Sequence, residues 1–190
     1  MHLSADSDIS KWELLSSKYL YRHKYLTVRS DHVRLPNKFE IEDFFVIENP
    51  DWVNVVAITE DGLLVMERQY RHGLDIIEYE ICAGMIDKGE MPIEAAQREL
   101  LEETGYSGGQ WIGYGKSSPN PSSMSNINYS FLAKGARLTS KQRLEQTENI
   151  EVLLMSIDEV KQLMLQDEIT EGIMLAPLWR YIVENELMNK

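Results

Sequence analysis

Cysteine is almost absent from this chain: one residue, Cys82, in 190. A lone cysteine excludes an intramolecular disulfide and any cysteine-rich zinc site. Basic residues are scarce too, with 19 lysines and arginines against 31 aspartates and glutamates, a formal net charge of −12. Such a surface repels nucleic-acid backbones and anionic lipid, so neither nucleic acid nor membrane is expected as a partner. A small phosphate ligand stays compatible with that charge where metal ions or a local arginine cluster reverse the field at its site. Long apolar runs are missing, none approaching the roughly 20 residues needed to span a bilayer. The opening MHLSADSDISKWELL has no basic segment followed by an apolar stretch, so it does not read as a signal peptide. A soluble, cytoplasmic protein is the expectation. With 43% apolar residues the chain has enough to bury a core, and its length fits one domain with or without a small subdomain.

Strand and turn signals dominate the first quarter. Short antiparallel strands are predicted near Lys18–Tyr21, Leu26–Leu35 and Phe39–Ile47, with a turn at Pro36-Asn37. Asn49-Pro50-Asp51 punctuates the chain, which places a subdomain over residues 1–48 and the main domain over 49–190. Val53–Ile58 and Leu63–Arg68 flank Thr59-Glu60-Asp61-Gly62, and Asp-Gly between β-rich runs is a hairpin signal. A strand is expected over Ile76–Cys82, then a helix from about Pro92 to Thr104, with Pro92 in its first turn and Gly105 as its C-terminal cap. Further strands are predicted near Gln110–Gly115, Asn128–Ala133 and Glu151–Met155. Lys116–Asn126 and Lys134–Asn149 read as loops. Ser156 with Glu159 is a capping box for a helix over Ile157–Leu165, and a last helix runs from Glu171 to about Leu187. The result is a mixed α/β chain.

The most informative stretch is GMIDKGEMPIEAAQRELLEETGY, Gly84 to Tyr106. Ile93, Ala96 and Leu100 make one apolar helix stripe. Glu99, Glu102 and Glu103 share a separate arc roughly 100° wide. Like charges at this spacing repel, and they stand toward the helix end where the macrodipole disfavours anions. A solvated acidic face is the ordinary explanation of such a helix; hard divalent cations with oxygen ligands are the other, Mg²⁺ above all where a phosphate completes the coordination.

These residues resemble the Nudix box, G-x5-E-x7-R-E-U-x-E-E-x-G-U with U apolar. Gly84, Glu90, Arg98, Glu99, Glu102, Glu103 and Gly105 fill every fixed position, and Leu100 the first apolar one. Tyr106 stands where an aliphatic residue is commoner. Seven fixed matches arise by chance less than about once in 10⁸ starting positions, which decides for the metal reading. Outside the box, QYRHG (Gln69–Gly73) and EYEICAG (Glu78–Gly84) resemble the segments that precede it in ADP-ribose and nucleotide-sugar pyrophosphatases, although that branch usually has proline at the position of Cys82. Pro121, 15 residues past the box, resembles the marker of the ADP-ribose branch. Its neighbours Asn120 and Asn126 depart from the commonest Ser-Pro-Gly form.

The resemblance implies a Nudix α/β/α sandwich with a mixed sheet, plus a small N-terminal antiparallel β subdomain. It implies Mg²⁺, with Mn²⁺ as substitute, on Glu99, Glu103, Glu102 and the backbone carbonyl of Ala83. Arg98 orients the carboxylates, and Glu90 fixes the loop. The base that takes a proton from water is Glu102 or Glu148, the latter in ENIEV, and the residues alone leave that open. Arg71 contacts substrate phosphate or is a strand-edge arginine; Glu80 binds the nucleoside portion or is paired within the sheet. Trp52 suits base stacking, but a packing role is favoured. His72 reads as a surface residue and Cys82 as a small hydrophobe. The implied reaction is hydrolysis of the pyrophosphate of a nucleoside diphosphate sugar to a nucleoside monophosphate and a sugar phosphate. ADP-ribose leads, with GDP-mannose or another such sugar second. A non-catalytic nucleotide-binding regulatory module is the alternative of another class, and the intact carboxylates argue against it. The N-terminal strands imply a homodimer.

Overall fold

The structure is a computed structural model that describes residues 9–188. The chain folds as two compact units, and the cut between them is not a single point in the sequence. Among the described residues the first unit contains the chain up to Asn49 together with Asn120–Ser125; the second contains Pro50–Pro119 and the described chain from Asn126 onward. The expected division at residue 48/49 therefore lacks one piece, the return of Asn120–Ser125 to the first unit.

In that first unit β1 (Glu13–Arg22), β2 (Thr27–Arg34) and β3 (Glu40–Glu48) form an antiparallel sheet in the order β1-β2-β3. Trp12 meets Phe44 edge-on at 5.5 Å between ring centroids. Asn120–Ser125 lies along β3: the Ile47 N–H donates to the Ser123 carbonyl at 2.7 Å, and the Ser125 N–H donates to the Ile47 carbonyl at 3.1 Å.

Period-two alternation builds the sheet of the second unit. In β4 (Trp52–Thr59) Val53, Val55 and Ala57 belong to one buried cluster and Val56 and Ile58 to the other. In β5 (Leu64–Arg71) Val65 joins the first, and Leu64 and Met66 the second. A strand apolar on both faces is covered on both. The first cluster packs under α1 (Pro92–Glu99) and the turn after it, through Ala95, Ala96 and Leu100; the second packs under α2 (Ile157–Leu165) and α3 (Gly172–Met188), through Val160, Met164, Met174 and Leu178. The layers are α/β/α.

The remaining strands are β6 (Ile76–Glu80), β7 (Ala83–Met85), β8 (Tyr106–Ser107), β9 (Gln110–Ser117), β10 (Asn128–Leu138) and β11 (Glu151–Met155). The path runs β11-β5-β4-β10-β8, with β6 on β5, β7 on β4 and β9 on β10. Among these strands only β4 and β10 pair in parallel, which makes the sheet mixed. The Asp61-Gly62 turn joins β4 to β5, with Gly62 at φ 83° as such a turn requires.

Some elements outrun the sequence pattern. β5 continues to Arg71 because β6 pairs with it as far as Ile76, and β10 continues to Leu138 through a bulge at Lys134/Ala136. The predicted strand Ile76–Cys82 ends as β6 at Glu80, and a separate strand, β7, starts at Ala83 to pair with β4. Among the described residues no helix is long and apolar enough to cross a membrane.

Candidate active site

The acidic helix begins as α1, with Pro92 at its first position and the Met91 N–H held by the Glu94 carboxylate at 3.0 Å. From Leu100 to Thr104 it widens into a π-helical turn, where the spacing predicts a continuous α-helix. Gly105 ends it in the left-handed region at φ 77°, its N–H donating to the Leu101 carbonyl at 3.0 Å. Single π turns inside α-helices are frequent at functional sites, and here the turn carries Glu102 and Glu103. Glu103 is buried, 5% exposed, whereas Glu102 is half-exposed.

Arg98 organises the outer carboxylates. Its Nε and Nη2 donate to the two oxygens of Glu90, each at 2.9 Å, and Nη1 donates to Glu99 Oε1 at 2.7 Å and reaches Glu102 Oε2 at 3.5 Å. Nη2 also donates to the Met85 carbonyl at 3.0 Å, tying helix to loop. Glu90 in turn accepts from the Asp87 N–H at 3.0 Å. The Arg98 hydrogen bonds hold Glu90 below the usual carboxylate range. Gly84 supplies the space: a Cβ there would run into the Glu99 carboxyl.

Deeper in, Glu103 Oε2 accepts from the Ala83 N–H at 3.2 Å. Burial, with the charge of Glu99 adding to it, pushes Glu103 up to about 8. Burial also raises Glu99, and the charges of Glu102 and Glu148 act in the same direction. Carboxylates crowded and desolvated to this degree need a compensating charge, and a divalent cation is the natural one. Glu99 and Glu103 offer carboxylate oxygens, the ligand type that hard divalent cations take. Glu148 stands half-buried on the segment before β11, its Oε2 accepting from the Glu145 N–H at 2.8 Å.

A cavity of about 410 Å³ lies in the same unit, lined by Trp52, Arg71, His72, Glu78, Thr170 and Glu171 among others. Arg71 forms a two-pronged ion pair with Glu80, which is 1% exposed and also takes a hydrogen bond from Gln69 at 3.4 Å. Glu80 is thus paired within the sheet and holds Arg71 at the cavity wall. Trp52, favoured from sequence as a packing residue, also lines the cavity. His72 is exposed, against the Tyr70 hydroxyl at 3.1 Å. Pro121 belongs to Asn120–Ser125 in the first unit.

Sequence reasoning misses two buried acids. Glu78 Oε1 accepts from the Thr170 hydroxyl at 2.7 Å and from the N–H groups of Thr170 and Glu171, fixing the start of α3 at the cavity. Glu67, 1% exposed on β5, lies beside Cys82 and Glu103. A glutamate two residues after the buried Val65 is the one local signal for it, since i and i+2 share a strand face.

The Nudix domain family matches residues 49–174, two thirds of the chain. The chain belongs to the Nudix family. Residues 12–47 of this Nudix hydrolase match the nucleoside diphosphate sugar hydrolase N-terminal domain. The chain is 29% identical over 159 residues to an ADP-ribose pyrophosphatase of Bacillus subtilis, covering 83% of this chain and 85% of that one. It is 30% identical over 161 residues to a methanol dehydrogenase activator of Bacillus methanolicus, with the same two coverages. Its fold resembles the crystal structure of an ADP compounds hydrolase at a TM-score of 0.80 and 23% identity, over 97% of this chain and 98% of that one.

Proposed function

We propose that this Nudix hydrolase cleaves the pyrophosphate of a nucleoside diphosphate sugar, ADP-ribose before GDP-mannose, releasing a nucleoside monophosphate and a sugar phosphate. The observation that carries the reading is the convergence of Glu99, Glu103 and the Ala83 strand over Gly84, with Arg98 clamping Glu90, Glu99 and Glu102 from outside. Support for the substrate class comes from the N-terminal domain match and from relatives that act on ADP-ribose.

Mg²⁺, or Mn²⁺ in its place, would be held by Glu99, Glu103 and the Ala83 carbonyl, with Glu102 on the solvent side. Bound there, the cation neutralises phosphate charge and acidifies water. The chain's own groups do the rest. Arg71, kept rigid by Glu80, offers its guanidinium to a substrate phosphate at the cavity wall. The Trp52 ring offers a face to the base. Glu148 receives the water proton on Oε1, because its Oε2 is engaged by Glu145 and its charge is felt at both Glu99 and Glu103. Glu102, the other candidate, is drawn toward Arg98. The N-terminal unit assembles a homodimer.

AMP release from ADP-ribose and GMP release from GDP-mannose, each with Mg²⁺, test this. Wild-type protein is expected to favour ADP-ribose. Glu103→Gln and Glu148→Gln are each expected to lower kcat at least about 100-fold. Unchanged hydrolysis in Glu103→Gln would overturn the metal-centred reading, and faster GMP release would reverse the substrate order. Tight ligand binding without turnover under any divalent metal would mark a regulatory module instead.

A further inference from the structure

Glu67, Cys82 and Glu103 come from three separate pieces of chain: β5, the link between β6 and β7, and the π turn after α1. All three are buried, at 1%, 0% and 5% exposure, and their ligand-type atoms lie within 4.8 Å of one another. The placement follows from alternation. Val65 packs toward α1, so Glu67, two residues on, faces the same side beneath the π turn. Cys82 belongs to that same layer, beside Ala95, Ala96 and Leu100.

Glu67 is the anomaly. Both carboxylate oxygens are shielded from solvent and neither has a hydrogen-bond partner. The nearby donors are committed elsewhere: Gln69 and Arg71 to Glu80, and the Ala83 N–H to Glu103. Buried carboxylates are paired or coordinate a metal, because desolvation without a partner is costly. Arg71, whose charge reaches Glu67, is committed to Glu80, so without a bound ion burial and the neighbouring carboxylates favour the protonated form of Glu67.

We propose that Glu67, Cys82 and Glu103 form an inner cation site for a sulfur-tolerant divalent ion of the zinc class, distinct from the Mg²⁺ held on the outer side by Glu99. The donor chemistry selects the class. Mg²⁺ takes oxygen ligands in octahedral geometry and keeps several waters, which a fully buried pocket with a thiol does not offer. Zinc accepts mixed sulfur and carboxylate ligands at low coordination number. Binding takes the proton from the Cys82 thiol and displaces those that Glu67 and Glu103 carry, and all of them leave for solvent. The inner site shares Glu103 with the proposed hydrolytic centre, but its other two ligands take no part in that reading.

Cobalt is the probe, since a thiolate bound to Co²⁺ gives a near-ultraviolet charge-transfer band. Cys82 is the chain's sole cysteine, so any such band in the wild-type protein reports this site. Metal-free protein titrated with CoCl₂ in excess MgCl₂ is expected to develop the band with one equivalent, and ZnCl₂ is expected to bleach it. X-ray absorption of the zinc-loaded protein is expected to show one sulfur scatterer among oxygens. Cys82→Ser is expected to abolish the band, and Glu67→Gln to weaken Co²⁺ binding at least about tenfold. Glu148→Gln, altered outside the inner site, is expected to keep the band while losing hydrolysis. Absence of the band in wild-type protein overturns the proposal without reference to any variant, and so does Co²⁺ binding that Glu67→Gln leaves intact. Normal hydrolysis in Glu148→Gln beside a persistent band counts against the proposed function and leaves the inner site standing.

Discussion

Glu103 holds its proton up to about 8 in the metal-free protein, against an ordinary 4.5, because burial penalises its charge. The folded state then binds more protons than the unfolded state across that interval. Its contribution to stability is complete below 4.5 and is lost as pH rises through 8. Urea midpoints of metal-free protein are expected to fall between about pH 5 and about pH 9, and added MgCl₂ is expected to restore them at the alkaline end. A midpoint that climbs with pH, or ignores Mg²⁺, would contradict the assignment. Arg98 acts through geometry as well as charge, since only a guanidinium serves Glu90 with two parallel bonds while also reaching Glu99 and the Met85 carbonyl. Arg98→Lys is therefore expected to weaken Mg²⁺ binding about 10- to 100-fold by calorimetry. The outer site is readable residue by residue because its members lie on one helix and its flanking loop, where spacing in sequence is spacing in space. Glu67 is not readable so: its neighbours Cys82 and Glu103 arrive from 15 and 36 positions away, and a glutamate on a strand ordinarily faces water.

At the level of elements, α2 falls on Ile157–Leu165 as the capping box predicts, with Ser156 Oγ accepting from the Glu159 N–H at 3.3 Å. Local chemistry sufficed there. The π turn of the acidic helix is different, since nothing in LLEET distinguishes it from an α turn; closure of that turn against Ser140 is a tertiary matter. Gly105 marks the point. It sits at φ 77°, and a Cβ on it would strike the Ser140 backbone carbonyl, whereas Gly62, at φ 83°, faces open space. Gly105→Ala is expected to cost more than about 1 kcal/mol by denaturant unfolding and more than Gly62→Ala does. Equal costs would show that the left-handed backbone alone, not the contact with Ser140, is what this glycine serves. Strand ends depart from the sequence pattern for a related reason. β5 and β10 run on past their apolar cores because β6 and β8 offer partners, and pairing rather than side-chain pattern decides where a ladder stops.

For the molecule as a whole, the first unit raises the question of assembly. Among the described residues β1 pairs only with β2, leaving one long edge of the three-stranded sheet open, and exposed edges of this length are usually covered. Trp12, Leu14, Tyr21 and Phe45 are also exposed on this unit, at 45%, 57%, 53% and 54%. Wild-type protein is expected to scatter light as a homodimer at micromolar concentration, and the double change Tyr21→Glu and Phe45→Glu to shift it toward monomer. A monomeric wild type would refute the proposed assembly.

The sequence by itself determined the Nudix membership, the acidic arc, its arginine clamp and the α/β class, because each is written in spacings of a few residues along one helix or strand. Tertiary structure alone decided that Asn120–Ser125 returns to the N-terminal sheet, that Trp52 and Glu78 border one cavity, and that Glu67 stands unpaired under Glu103. Those outcomes depend on which strands pair and in what register, and register is fixed by contacts between segments far apart in the chain.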